Sequence, residues 1–267
     1  MHVGAATHAG KVRPNNEDGY LVRGNLLAVA DGMGGHNAGE VASETVLAVL
    51  REYPFTADVI APAAAGGASG RAGRKEVRGG AEKGADAGAQ LHAAVRRAHE
   101  RLLALTEADP ALDGMGTTLT AALLQPDTIH VAHVGDSRLY IVRDGQLLPV
   151  TDDHSVAAEL VRAGEIDAEA ARRHPLRHAV TRALGAGGSP ELEIDLHAIP
   201  REQGDGLLLC TDGLNALVSD AEILAVLQQE PDAQRAVDAL VALALERGGV
   251  DNVTVVLALP KGRGLNR

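Results

Sequence analysis

Apolar residues in this chain come in strand-length runs, and an acidic residue beside glycine or asparagine stands at the end of one run after another. Leu26 to Ala30 leads into Asp31-Gly32, Ile129 to Val134 into Gly135-Asp136, and Leu207 to Cys210 into Thr211-Asp212-Gly213. Asp251-Asn252 opens Val253 to Leu259. Each pair alone reads as a turn, because Asp and Gly both favour turn geometry. Together they demand a fold in which many strand ends meet, so that side chains from distant segments gather at one rim. None of these runs approaches the roughly 18 apolar residues of a membrane span.

Local patterns supply the elements. Tyr20 to Val22 and Leu26 to Ala30 flank Arg23-Gly24-Asn25 and predict an antiparallel hairpin with Asp31 at its end. From Ala38, residues Val41, Val46, Val49 and Leu50 fall on one helical stripe that closes before Pro54, so a helix should pack on that hairpin. Leu91, Val95, Ala98, Leu102 and Leu105 mark a second helix ending near Pro110. Thr117 to Leu124, Ile129 to Val134, Leu139 to Val142 and Leu147 to Val150 then read as an antiparallel meander, turning at Pro126-Asp127, Gly135-Asp136 and Asp144-Gly145. Leu192 to Ile199 is another strand, and the wholly apolar Leu207 to Cys210 is a central one covered on both faces. Ser219 with Glu222 makes a capping box for a helix carrying Ile223, Val226 and Leu227. A last helix follows Asp232, with Val237, Leu240, Val241 and Ala244 inward, before the closing strand Val253 to Leu259. The outcome is an α+β chain of antiparallel sheets faced by helices.

Residues 1–260 read as one domain with two departures from this order and a short polar tail at 261–267. Between about 56 and 89, eight glycines interrupt an Ala-rich stretch with almost no large apolar side chains, too little to offset its ordering entropy; it reads as a mobile insertion. Its Arg71, Arg74, Lys75 and Arg78 read as a solvated loop in preference to a docking patch. Residues 151–190 are polar, with a helical pattern at Val156, Leu160 and Val161, and read as a flap across the sheet end. Aromatic residues are only 1% of the chain, so alanine and the aliphatics must fill the core.

A formal charge of −11 excludes a general nucleic-acid or anionic-membrane binder and suits a protein that gathers cations. The single cysteine, Cys210, cannot pair within the chain, and the first residues lack the regions of a secretory signal; the expectation is a cytoplasmic protein. Nothing points to an obligate assembly, so a monomer is expected.

If Glu17, Asp18, Asp31, Asp136, Asp212 and Asp251 converge, six carboxylates would repel and most would need cations between them to stay ionised. All candidate ligands are oxygen, without Cys/His at zinc spacing, which favours Mg²⁺ or Mn²⁺. A carboxylate bridging two such ions about 3.5–4 Å apart would hold a water acidic enough to supply hydroxide for in-line attack on phosphorus. Arg13, four residues before Glu17, offers a guanidinium that grips two phosphate oxygens. A cysteine phosphatase is excluded because position 216, six after Cys210, is alanine, and no P-loop sequence is present.

Six blocks now carry a family resemblance: Arg13-Pro14-Asn15-Asn16-Glu17-Asp18, Asp31-Gly32-Met33-Gly34-Gly35-His36, Gly116-Thr117-Thr118, Val134-Gly135-Asp136-Ser137-Arg138, Thr211-Asp212-Gly213 and Asp251-Asn252-Val253-Thr254. In kind and order they resemble the PP2C-type metal-dependent protein serine/threonine phosphatases in their compact bacterial form. The resemblance implies a four-layer αββα sandwich of two antiparallel sheets flanked by antiparallel helix pairs. It also implies hydrolysis of phosphoserine and phosphothreonine without a covalent phosphoenzyme, on substrates that a cognate serine/threonine kinase supplies. By the same resemblance Asp31, Asp212 and Asp251 hold one metal, while Glu17, Asp31 and the carbonyl of Gly32 hold a second. Asp18 orients metal-bound waters, Asp136 with Asp212 makes a weaker third site, and Arg13 binds phosphate. Met33 departs from members that place a proton-donating histidine there, so the proton would come from a metal-bound water or another acid; His36 has no assigned role. The segment His154 to Leu184, including His174-Pro175-Leu176-Arg177, resembles the family's flap, where substrate selectivity is expected. The rival reading is a phosphoprotein-binding module of the same fold that has lost turnover; it would lack a ligand, and here every ligand position is filled.

Overall fold

In the computed structural model, which describes residues 1–34, 38–56 and 86–260, the strand-length runs form two antiparallel sheets. The chain opens with β1 (His2–His8), the hairpin β2 (Asp18–Arg23) and β3 (Leu26–Met33), then α1 (Ala38–Glu52) and α2 (Ala87–Ala108). Strands β4 (Gly116–Thr117), β5 (Leu119–Leu124), β6 (Thr128–Val134), β7 (Arg138–Arg143) and β8 (Gln146–Pro149) follow. The flap contributes α3 (Val156–Arg162) and α4 (Ala168–Arg172). Then come β9 (Asp195–Pro200), β10 (Gly206–Cys210), the short α5 (Asp212–Asn215), α6 (Asp220–Gln229), α7 (Ala233–Glu246) and β11 (Val253–Leu259). One sheet runs β1-β11-β10-β7-β8, and the other β2-β3-β5-β6-β9 with β4 paired to β3.

Strand alternation builds the layers, because successive side chains point to opposite faces. On β3, Leu26, Ala28 and Ala30 join Val46, Leu50, Leu91 and Leu102 of α1 and α2 in one core. Leu27 and Val29 face the other way and meet Leu139, Ile141, Leu207, Leu209 and Val256 of the opposite sheet. On β10, Leu208 and Cys210 turn outward to Ile223, Leu227, Val237 and Leu240 of α6 and α7. Three cores separate four layers, helices–sheet–sheet–helices. β3, β10 and β11 are therefore apolar on both faces although their sheets are antiparallel, and each fully buried Leu or Val contributes about 1.5–3 kcal/mol. The capping box of Ser219 and Glu222 is formed.

The structure corrects the meander. β5 and β6 pair in one sheet, but β7 and β8 pair in the other. The chain crosses between sheets at Gly135, whose φ of +112° is open to glycine and whose added Cβ would lie 2.5 Å from Thr118. Periodicity reports that strands alternate, not which sheet receives them. The segment expected as one strand from Thr117 is also broken at Thr118, because Thr117 exchanges backbone hydrogen bonds with Leu184 of the flap at 3.0 and 2.9 Å. β9 begins at Asp195, three residues after the expected start, and α2 begins at Ala87, inside the stretch assigned to the insertion. β1 has no counterpart in the sequence reading: its Ala, Thr and His residues give little alternation. The rest of the insertion with Arg71, Arg74, Lys75 and Arg78, the residues Gly35 and His36, and the tail at 261–267 lie outside the described residues.

Candidate metal centre

At one rim of the sheet pair, a cavity of about 340 Å³ is lined by Arg13, Glu17, Asp31, Asp136, Asp212 and Asp251, together with Gly32, Met33, Thr118 and His178. Asp31 arrives at the end of β3, Asp136 at the crossing between sheets, Asp212 at the start of α5 after β10, and Asp251 just before β11. Asp18 does not line the cavity; it lies buried behind it, paired with Asp31 across the β2–β3 register. The acids that are far apart in sequence thus face one space.

Close backbone contacts hold them there. Asn252 accepts from the Glu17 N–H (2.8 Å) and donates to the carbonyls of Ala9 (3.0 Å) and Asn15 (2.8 Å), stitching the Arg13–Glu17 loop to the start of β11. The Thr211 hydroxyl donates to Asp18 Oδ2 at 2.7 Å. The Asp31 N–H donates to Thr118 Oγ1 at 3.0 Å, and that hydroxyl meets Ser137 Oγ at 2.9 Å, beside Asp136. Gly32 and Gly39 let the first turn of α1 lie on the end of β3: a Cβ on Gly32 would sit 2.0 Å from the Gly39 carbonyl oxygen.

Electrostatics strain this arrangement. Burial raises the Asp18 carboxyl to about 7, with Asp212 and Asp251 adding to the rise and the Thr211 hydroxyl opposing it. Burial first, then Asp18, Asp212, Asp136 and Asp251, push Asp31 well above the ordinary carboxylate range. Asp136 rises for the same reasons, burial before Asp212 and Asp153. Glu17 is raised by burial, against the pull of Arg13. Two protein groups answer part of the charge: the Arg13 guanidinium donates to Asp251 Oδ2 at 2.8 Å, and the His178 imidazole Nδ1 donates to Asp212 Oδ2 at 3.0 Å.

Among the described residues no three Asp, Glu, His or Cys side chains close into a ready cation cage; Asp251 pairs with Arg13 and Asp212 with His178. The donor set nevertheless fits hard divalent cations. It is all oxygen, its members depress one another's ionisation, and the buried Oδ1 atoms of Asp18 and Asp212 have no hydrogen-bond partner among the described residues. Sequence reasoning assigned no part to His178, Asn252 or Thr211. The last two stood inside the quoted motifs, whereas nothing in the flap's composition singles out His178.

A family model for protein phosphatase 2C matches residues 14–249. The serine/threonine protein phosphatase PstP of Mycobacterium tuberculosis is 41% identical over 258 residues, 97% of this chain and 45% of the relative. The chain therefore spans about half the length of that curated relative. The serine/threonine phosphatase stp of Listeria innocua is 34% identical over 272 residues, covering 98% of this chain and 99% of the relative. The solved catalytic domain of PstP in complex with two manganese ions superposes with a TM-score of 0.79 at 40% identity, over 96% of each chain.

Proposed function

Because this chain belongs to the protein phosphatase 2C family, we propose that it hydrolyses phosphoserine and phosphothreonine esters in proteins with Mn²⁺ or Mg²⁺ as cofactor. The observation that carries the reading is the convergence of Glu17, Asp31, Asp136, Asp212 and Asp251 on one cavity beside Arg13. Asp31, Asp212 and Asp251 would hold one ion, and Glu17, Asp31 and the Gly32 carbonyl a second, which leaves Asp31 shared. Asp136 with Asp212 would hold a third and weaker ion. When bound, such ions neutralise the clustered charge and acidify water enough to supply a nucleophile near neutral pH.

The chain's own residues supply the remainder. Arg13, half exposed at the mouth, keeps its charge through Asp251 and would bind phosphate oxygens of the substrate. Asp18, held by Thr211 behind Asp31, would orient the waters of a bound ion without ligating it. Met33 lines the cavity with a thioether and cannot protonate a leaving alkoxide. The buried free thiol of Cys210 suits a reducing, cytoplasmic setting in which a serine/threonine kinase makes the substrates. No observation favours the binding-only alternative.

The test is hydrolysis of a chromogenic aryl phosphate, and of phosphothreonine and phosphotyrosine peptides, with Mn²⁺, with Mg²⁺ and with EDTA. Metal-dependent release from the phosphothreonine peptide, lost in EDTA and in Asp31→Asn, is expected. Turnover that survives EDTA, or that prefers phosphotyrosine, refutes the reading. Arg13→Ala should raise KM for the phosphopeptide with a smaller effect on kcat; an unchanged KM removes its phosphate role.

A further inference from the structure

The flap reaches the cavity through His178 and Val180, and His178 bonds to one of its acids. His178 Nδ1 donates to Asp212 Oδ2 at 3.0 Å, and the other oxygen of the same carboxylate, Oδ1, is buried without a hydrogen-bond partner among the described residues. A carboxylate gripped through one oxygen presents the other in a defined direction. From this geometry we infer that His178 is a positioning residue that holds Asp212 for a divalent cation and couples the flap to cation binding. The inference rests on the proposed metal site.

Hydrogen bonds anchor the segment that carries His178. Its segment is tied to the start of the flap by the Val156 N–H to Ala179 carbonyl (2.9 Å) and the Thr181 N–H to His154 carbonyl (2.8 Å). His154 is tied in turn to Gly135, donating its N–H to the Gly135 carbonyl (2.7 Å) and accepting the Gly135 N–H on Nδ1 (3.0 Å). Gly135 precedes Asp136. The flap is therefore a strut with one foot at Asp136 and the other at Asp212, two acids of the same cavity. Removing a group that orients a metal ligand typically weakens metal affinity 10–100-fold. Coupling is reciprocal: if the flap contact strengthens cation binding, the cation strengthens the flap contact by the same factor.

The experiment uses the whole chain. Mn²⁺ affinity is measured by titration with the free ion counted by electron paramagnetic resonance, for wild type, His178→Ala and His178→Asn, with the melting temperature of each metal-free protein as a control. Tryptic cleavage after Arg173 and Arg177 is followed in parallel with and without Mn²⁺. We expect His178→Ala to bind Mn²⁺ about tenfold more weakly at unchanged metal-free melting temperature. His178→Asn, whose amide can donate in the same place, should restore most of the affinity. Mn²⁺ should slow flap cleavage in wild type and not in His178→Ala. Equal Mn²⁺ affinity in wild type and His178→Ala overturns the inference while leaving the metal site standing, as does equal weakening in the Ala and Asn variants. Wild type that binds no Mn²⁺ overturns the proposed function and this inference together.

Discussion

Asp18 shows at the scale of one residue what the cavity does to its acids. Its carboxyl is raised to about 7, chiefly by burial, against an ordinary value near 4 in the unfolded chain. The folded metal-free protein therefore holds a proton that the unfolded chain has lost, and this contribution to stability is complete below about pH 4 and gone once pH passes about 7. His133 has the opposite sign. Burial lowers it to about 4, so its contribution is present above its ordinary value and is lost as pH falls toward 4. Because the two oppose each other, the informative comparison is between variants. Asp18→Asn is expected to raise the melting temperature of EDTA-treated protein at pH 8, by an amount reflecting up to a few kcal/mol, and to change it little near pH 4. Calorimetry at both pH values checks this, and an equal effect at both would show that Asp18 is not charged and repelled at pH 8. Asp18 was legible in the sequence as part of Glu17-Asp18. That it lies behind the cavity, held by Thr211, depends on β2 and β10 coming together and could not be read locally.

Elements carry the acids into place, and the tightest junction is where α1 lies on β3. A Cβ on Gly39 would come within 2.7 Å of the Glu17 carboxyl group and 2.8 Å of the Gly32 backbone. Gly39→Ala should therefore destabilise by about 1–3 kcal/mol, the usual penalty of overpacking, and weaken Mn²⁺ binding through Glu17. Thermal melting and Mn²⁺ titration report the two effects separately; a variant with wild-type values in both would show that α1 can shift without disturbing Glu17. The helices at Ala38–Glu52, Ala87–Ala108 and Ala233–Glu246 and the strand Val253–Leu259 were visible in the sequence because periodicity is a property of neighbouring residues. The assignment of β7 and β8 to the second sheet was not, because a turn at Gly135-Asp136 looks alike whether the chain folds back or crosses over.

At the scale of the molecule, the two segments flanking the glycine-rich stretch are joined without it. The Thr56 N–H donates to Gln90 Oε1 at 3.0 Å, and Gln90 Nε2 donates to Thr56 Oγ1 at 3.1 Å, so the end of the α1 segment and the first turns of α2 already meet. Deleting residues 62–85 should leave the melting temperature within about 2 °C of wild type, the range of surface changes in a chain of this size. A larger drop would show that those residues pack on the domain.

The amino-acid order by itself determined the kind of chemistry available here. It placed carboxylates and one arginine at turns, withheld a nucleophilic cysteine, and set the apolar runs that become strands and helices, all of which are short-range properties. Only the tertiary structure decided that these turns share one rim. That outcome depends on strand register, on the crossing at Gly135 and on how closely glycine-bearing segments approach one another. It also depends on long-range contacts such as those of Asn252 and His178, whose partners lie far away along the chain.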